Sequence, residues 1–265
     1  MTDDAVGRRR PISYQDLAGA EVSQALAEDL LASARWLDDN AFLRRTLSDP
    51  GHPVGARQRL VDDVFADQVA PTALAVLRHQ AGLTWPDGES LARSVEGLGL
   101  RAVWLWADRQ GLLTEVVDEL FAFGQLMARE PELRAVVTDF NAAPERRRGL
   151  IEGLLGAHAR PATLALAEHA ALTQHSTLED ALERDLDLAA ELAGAVIAVA
   201  RVAVPLPLDQ RARLLDVLTR RAGRKVLLQE LIDPAILGGV RVELGDDVID
   251  GSLLAGLASA RRGLT

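Results

Sequence analysis

Histidines, paired carboxylates and a pair of adjacent glycines are the residues of this chain that chemistry would use first. The histidines are His52, His79, His158, His169 and His175. No two of them stand four apart, the spacing that offers two imidazoles to a metal from one helical face. His52, His158 and His175 are expected in loops, and His79 and His169 in separate bundles, so no metal site is assigned. Asp246, Asp247 and Asp250 lack the alternating oxygen ligands and terminal glutamate of a calcium loop. The pairs Asp38-Asp39 and Asp62-Asp63 read as solvated neighbours on helix surfaces, because acid–base catalysis needs groups that converge in a pocket. Arg146, Arg147 and Arg148 open a helix as a solvated or salt-bridged basic spot. The four tryptophans lie apart from them, which argues against a nucleic-acid surface. With no cysteine, thiolate nucleophiles, disulfides and cysteine-held metals are excluded.

The glycines are Gly238-Gly239. A phosphate loop places such glycines between a strand and a helix N-terminus, where free N–H groups converge on the anion. Here they lead into Val240-Arg241-Val242-Glu243-Leu244, which alternates like a strand, and no Lys-Ser or Lys-Thr follows. The pair reads as architecture, allowing a bulge or a close approach of backbones. No catalytic, cofactor-binding or metal-ligating residue emerges, and no cofactor is expected.

The elements around these residues are mostly helical and occur twice. Residues 28–81 resemble residues 118–171 at a constant offset of 90 without a gap. The register keeps Leu30/Leu120, Leu43/Leu133, Arg44/Arg134, Asp49/Asp139, Arg57/Arg147, Pro71/Pro161 and His79/His169 in step. Two unrelated amphipathic helices would share leucines, but not a proline, an aspartate, arginines and a histidine as well, so the segment is a duplication. Leu120, Phe123, Gly124 and Met127 form one helical stripe within Glu119 to Arg129. Pro131 and Pro161 each suit the first turn of a helix, and Ser176-Thr177-Leu178-Glu179 fits a capping box ahead of a helix running towards Ala195. A helix from about Asp87 to Arg109 is expected to close one bundle and open the next.

From about Ala200 the period changes to two. Val202 and Val204 of Arg201 to Pro205, then Arg224 to Ile232, Val240 to Leu244 and Val248-Ile249 read as strands. Asp209 caps a helix over Gln210 to Arg221, Gly223 stops it, and Gly251-Ser252 begins a last helix with Leu253, Leu257 and Leu264 on one side. The fold expected is mainly α, two tandem helical bundles followed by a small α/β C-terminal domain, divided as 1–97, 98–199 and 200–265. Of 265 residues 48% are hydrophobic and 26% charged, the balance of a globular protein with a real core. A net charge of −10 argues against general nucleic-acid binding. The longest apolar run, Leu192 to Ala200, falls short of a membrane span, and the start lacks the apolar stretch of a signal peptide.

The closing pattern resembles the signature of the delta subunits of F-type ATP synthases, the oligomycin-sensitivity-conferring protein family. It reads Asp233-Pro234, then Gly238-Gly239 with an alternating strand, Gly245-Asp246, and Val248-Ile249-Asp250-Gly251-Ser252. Residues 104–120 and 131–139 look like that family's helical domain. Residues from about 98 onward would make one ordinary delta subunit, and the first copy an added helical domain, as in longer actinobacterial forms. The resemblance implies a non-catalytic connector at the cytoplasmic face of the plasma membrane. It would receive the N-terminal helices of alpha subunits, hold a b-type stalk through its C-terminal region, and keep the catalytic head from turning with the rotor. No nucleic-acid partner and no membrane insertion are implied. The family's groove between first and fifth helices would fall at Trp104, Leu105, Leu164 and Leu166. Two other classes compete: a helical-repeat adaptor or regulator unrelated to ATP synthase, and an enzyme with a pocket at Gly238-Gly239.

Overall fold

A computed structural model of the chain describes residues 22–250, apart from residues 157, 234, 237 and 246. Among the described residues ten helices come first: α1 (Gln24–Asp39), α2 (Ala41–Ser48), α3 (Val54–Phe65), α4 (Pro71–Ala81), α5 (Gly88–Arg109), α6 (Leu113–Arg129), α7 (Pro131–Val137), α8 (Pro144–Leu155), α9 (Pro161–Leu172) and α10 (Leu178–Leu192). They are followed by β1 (Ala195–Val202), α11 (Leu208–Ala222), β2 (Lys225–Ile232), β3 (Val240–Leu244) and β4 (Asp247–Asp250). The mainly helical class with a small C-terminal α/β region is as the sequence predicts.

The offset of 90 carries over from sequence to geometry. Helix α3 maps onto α8, α1 onto α6, α2 onto α7 and α4 onto α9, with ends matching to within a residue or so. Residue Asn40, which separates α1 from α2, has φ −116° and ψ 76°, and its counterpart Glu130 has φ −117° and ψ 75°. Local devices are kept even where residue types are not. Asp29 of α1 accepts from the N–H of Ala70 at 2.7 Å, and Glu119 of α6 accepts from the N–H of Arg160 at 2.8 Å, each just ahead of a proline-started helix. Neither Ala70 nor Arg160 has a side-chain cap of its own, so a carboxylate from another helix satisfies a free donor and complements the helix dipole. Asp49 and Asp139 each fold back on the N–H two residues on, at 2.7 and 2.9 Å.

Buried arginines pin both copies. Arg57 Nη1 donates to the carbonyls of Leu47 (3.2 Å) and Leu83 (2.8 Å), and Arg147 Nη1 donates to that of Ala171 (3.1 Å). The Arg147 guanidinium also lies over the Phe140 ring, 4.6 Å from its centre. Arg147 thus departs from the solvated basic spot predicted for residues 146–148. Its stem follows the buried side of α8, and the neighbouring Arg148 reaches Glu168 at 3.5 Å.

Helix α5 is the common wall. Trp104, Ala102, Val103, Val95 and Leu91 are all buried, and one contiguous core runs from Val22 through both helical copies to Ala195 and Leu227 of the sheet. A helix apolar on most sides is one surrounded by others, and α5 packs against α1, α2, α4, α6, α9 and α10. Gly99 permits the closest of these approaches. A methyl group there would lie 2.8 Å from Leu31 Cδ2 and 3.1 Å from the Leu31 nitrogen of α1.

The sheet has strand order β2-β1-β3-β4, with β1 and β2 parallel through the crossover helix α11 and the other pairs antiparallel. Period two divides its faces. Ala195 and Leu227 join the main core, whereas Ala198, Ala200, Val226, Leu228 and Val242 pack with Leu218 of α11. Four expected boundaries move. α10 ends at Leu192 and β1 starts at Ala195, because Gly194 takes a left-handed φ of 58° and the β-branched run after it extends. Val204 accordingly lies past the strand and is exposed. The cap of α10 is Thr177, one residue later than the box predicted, and its hydroxyl accepts from the Asp180 N–H at 3.1 Å. Asp209 lies in the first turn of α11, which begins after Pro207.

Candidate functional site

Three surfaces of the fold hold side chains that act on something outside their own helix. The first contains the predicted groove residues. Trp104, Leu105 and Leu166 are buried in the continuous core, and only Leu164 of the four is half-buried. Leu164 lines a cleft of about 310 Å³ between α1 and α9 with Gln24, Leu31, Ala32, Arg35, Pro161 and Glu168. Helix α1 of the first copy lies against both α5 and α9. A groove between α5 and α9 is therefore flanked by a helix of the chain itself. Burial pushes the Glu168 carboxyl up from its ordinary value, while Arg148 pulls it back down.

The second surface is a polar seam of about 290 Å³ where the two copies meet, lined by Arg35, Asp38, Glu96, Arg148, His169 and His175 among others. His169 Nε2 is 3.0 Å from Glu96 of α5, and His175 Nε2 is 3.1 Å from Asp38 of α1. Burial alone would raise Glu96, but the hydrogen bond and charge of His169, helped by His175 and Arg184, hold it below its ordinary value. Asp185 lies beneath them, 1% exposed, with Oδ2 lacking a hydrogen-bond partner. Burial pushes it up to about 7, against the opposing pull of His169 and Arg184. His169 is buried where its counterpart His79 is half-buried, and sequence spacing does not reveal the Glu96–His169 contact, which forms across 73 residues of chain. Among the described residues no cluster of three or more histidines, aspartates or glutamates is placed to hold a metal.

The third surface is a cleft of about 720 Å³ between α6 and α10, whose far end reaches β1. Leu182, Leu186, Gly124 and Ala128 line it, with Glu179, Glu183, Asp187 and Glu191 along one rim. The four-residue spacing of those acids is visible in the sequence, but the open seam beside them is a tertiary feature.

The signature residues build the end of the sheet. The Asp233 N–H donates to Val202 O at 2.8 Å, tying the end of β2 to the end of β1, and its carboxylate accepts from the Ala235 N–H at 2.9 Å. Gly239 (φ 80°) and Gly245 (φ 56°) take left-handed angles at the entry and exit of β3, where a side chain would be strained. Gly238 lies beside Gly239 in the same bend. These glycines turn the chain into and out of a strand. Pro234, Asp246, Gly251, Ser252 and the last predicted helix with Leu253, Leu257 and Leu264 lie outside the described residues, as does the Asp250 side chain. The module is fastened to the helices by Gln229, which donates to Asp118 Oδ1 of α6 at 2.7 Å, and by Arg129, which donates to Ile232 O at 3.2 Å.

Clefts between helices, a shared central helix and a sheet clamped to the second copy define a mainly helical protein with open seams on its surface. The family model for the ATP synthase delta (OSCP) subunit matches residues 101–264, the second copy and the sheet module. An ATP synthase subunit delta of Parafrankia sp. (strain EAN1pec) is 40% identical over 241 residues, covering 91% of this chain and 86% of that one. One from Streptomyces avermitilis is 36% identical over 259 residues, covering 97% and 94%. One from Thermobifida fusca is 36% identical over 250 residues, covering 94% and 93%. The chain belongs to the ATP synthase delta (OSCP) subunit family, and these relatives extend the likeness over the first helical copy as well. Among the described residues no helix is long and apolar enough to cross a membrane.

Proposed function

We propose that this chain is a non-catalytic peripheral-stalk subunit of a proton-translocating F-type ATP synthase. It joins the alpha subunits of the catalytic head to a b-type stalk and resists the torque of the rotor, at the cytoplasmic face of the plasma membrane. The carrying observation is family membership, with relatives named ATP synthase subunit delta aligned across both helical copies and the sheet. The working division is 1–97, 98–199 and 200–265, the first two sharing α5 and the third acting as the clip for the b-type partner. The N-terminal helix of an alpha subunit docks at the α1–α9 cleft over Leu164, and Trp104, Leu105 and Leu166 stiffen that wall from inside the core. The closing signature, from Asp233 to Ser252, shapes the clip and does no chemistry.

Affinity purification of the chain should bring down alpha- and beta-type subunits. A synthetic alpha N-terminal peptide should bind the isolated chain with a Kd below about 50 μM, and Leu164→Glu should weaken it at least about tenfold. A peptide that fails to bind at that concentration, with no catalytic subunit recovered, would remove the assignment.

A further inference from the structure

Two parallel rows on α10 face the third cleft. Leu178, Leu182, Leu186 and Ala190 recur every four residues along its inner wall, Leu186 half-buried and the others buried, and Glu179, Glu183, Asp187 and Glu191 run beside them at the same interval. Like charges one turn apart weaken a helix, so α10 carries the acidic row against its own stability. Glu179 is paired with Arg134 at 2.7 Å, whereas among the described residues Glu183, Asp187 and Glu191 make no ion pair. The facing wall on α6 presents Ala128, exposed and small enough for another backbone to come close, while Gly124 makes room for Leu182. Arg224 is the one basic side chain among the described residues that line the cleft.

We infer that this cleft is a docking groove for a cationic amphipathic helix of another chain, separate from the α1–α9 cleft. Half-buried Leu186 and Phe121, backed by the buried Leu178 and Leu182, accept the leucine-like face of the incoming helix, and the acidic row meets lysines or arginines on its flank. From Glu179 to Glu191 the rim is about 18 Å long at 1.5 Å per residue, room for about three turns. The groove touches α6, α10 and β1 together, so its occupant fastens the second helical copy to the sheet module. None of its lining residues lines the α1–α9 cleft.

The test uses the full chain and two fluorescein-labelled 16-residue peptides with the same leucine pattern, one filled out with lysine and the other with glutamate. By fluorescence anisotropy the leucine–lysine peptide should bind at least about tenfold tighter than its acidic twin. Ala128→Trp, at an exposed position of the α6 wall, fills the groove and should weaken binding by about tenfold or more, as should the surface double variant Glu183→Lys with Asp187→Lys. Glu132→Lys, an exposed acid outside the groove, should leave binding unchanged. The groove variants should also leave binding of the alpha N-terminal peptide unchanged, which separates this inference from the assignment above. Equal weakening by Glu132→Lys would mean mere attraction to an acidic protein, and undiminished binding by the groove variants would mean the wrong surface. If binding appears only after residues 251–265 are removed, the chain covers its own cleft. Any of these three results overturns the inference.

Discussion

The first helical copy is closed where the second is open, although one sequence pattern wrote both. In the first, α1 lies along α5 with Leu31 fitted against Gly99. The equivalent pair in the second is α6 with α10, where Phe121 stands in for Leu31 and Ala189 for Gly99. That pair leaves a cleft of about 720 Å³. The difference originates where each closing helix ends. α5 runs on to Arg109 and gives α1 a full length of helix to pack on, whereas α10 stops at Leu192 and the chain turns through Gly194 into a strand. A duplicated unit is thus specialised at its exit: the fate of its last helix decides whether the seam beside it is filled.

The largest effect should come from crowding the closed seam. Gly99→Leu forces side-chain atoms into Leu31 and its backbone, and should lower unfolding free energy by about 3 kcal/mol in urea titration. In the open copy, Gly124→Ala should raise it by about 0.5 kcal/mol, since the added methyl meets Leu182 at an ordinary 3.4 Å and removes helix-weakening glycine. If both glycines respond alike, the contrast between the seams is false.

Next come the arginine pins, where the copies should agree. Arg57→Met and Arg147→Met each strip carbonyls of a buried donor, and each should cost about 1–3 kcal/mol by the same titration. A large cost for one and none for the other would show that the copies fold by different rules inside as well as at their edges.

A pH-dependent effect concerns Asp185, whose counterpart in the first copy is Val95. With its carboxyl raised to about 7 from the ordinary 3.8, the folded chain holds a proton across that window which the unfolded chain has released. Stability from this group therefore falls as pH rises from about 4 to 7 and stays low above. Asp185→Asn should stabilise by about 1 kcal/mol at pH 8, less than full relief because an amide is still a buried polar group. Its advantage should fade on acidification to pH 4.5, and thermal melts at the two values would reveal an opposite trend.

Much of this was legible in the sequence for physical reasons. An ungapped register that keeps Pro71/Pro161, Asp49/Asp139 and Arg57/Arg147 preserves positions where backbone geometry or a buried charge admits few replacements. The alternation of Val240 to Leu244 announced its strand because one face packs and the other does not. The run Ala195 to Ala200 was harder: continuous apolar residues read equally as buried helix or buried strand, so the α10 end was placed too late. Trp104, Leu105 and Leu166 show another limit, since an apolar stripe signals burial without saying whether the cover is core or visitor. The Asp29/Glu119 caps and the Glu96–His169 contact rest on residues far apart in the chain, where spacing carries no signal.

Helix α5 has a mechanical consequence. At 22 residues it is about 33 Å long, and it belongs to both copies at once, without a linker between them. A sideways pull on the first copy would travel along continuous backbone hydrogen bonds into the second, with no joint at which the chain could swivel. Among the described residues the two helical copies share one continuous wall in place of a hinge.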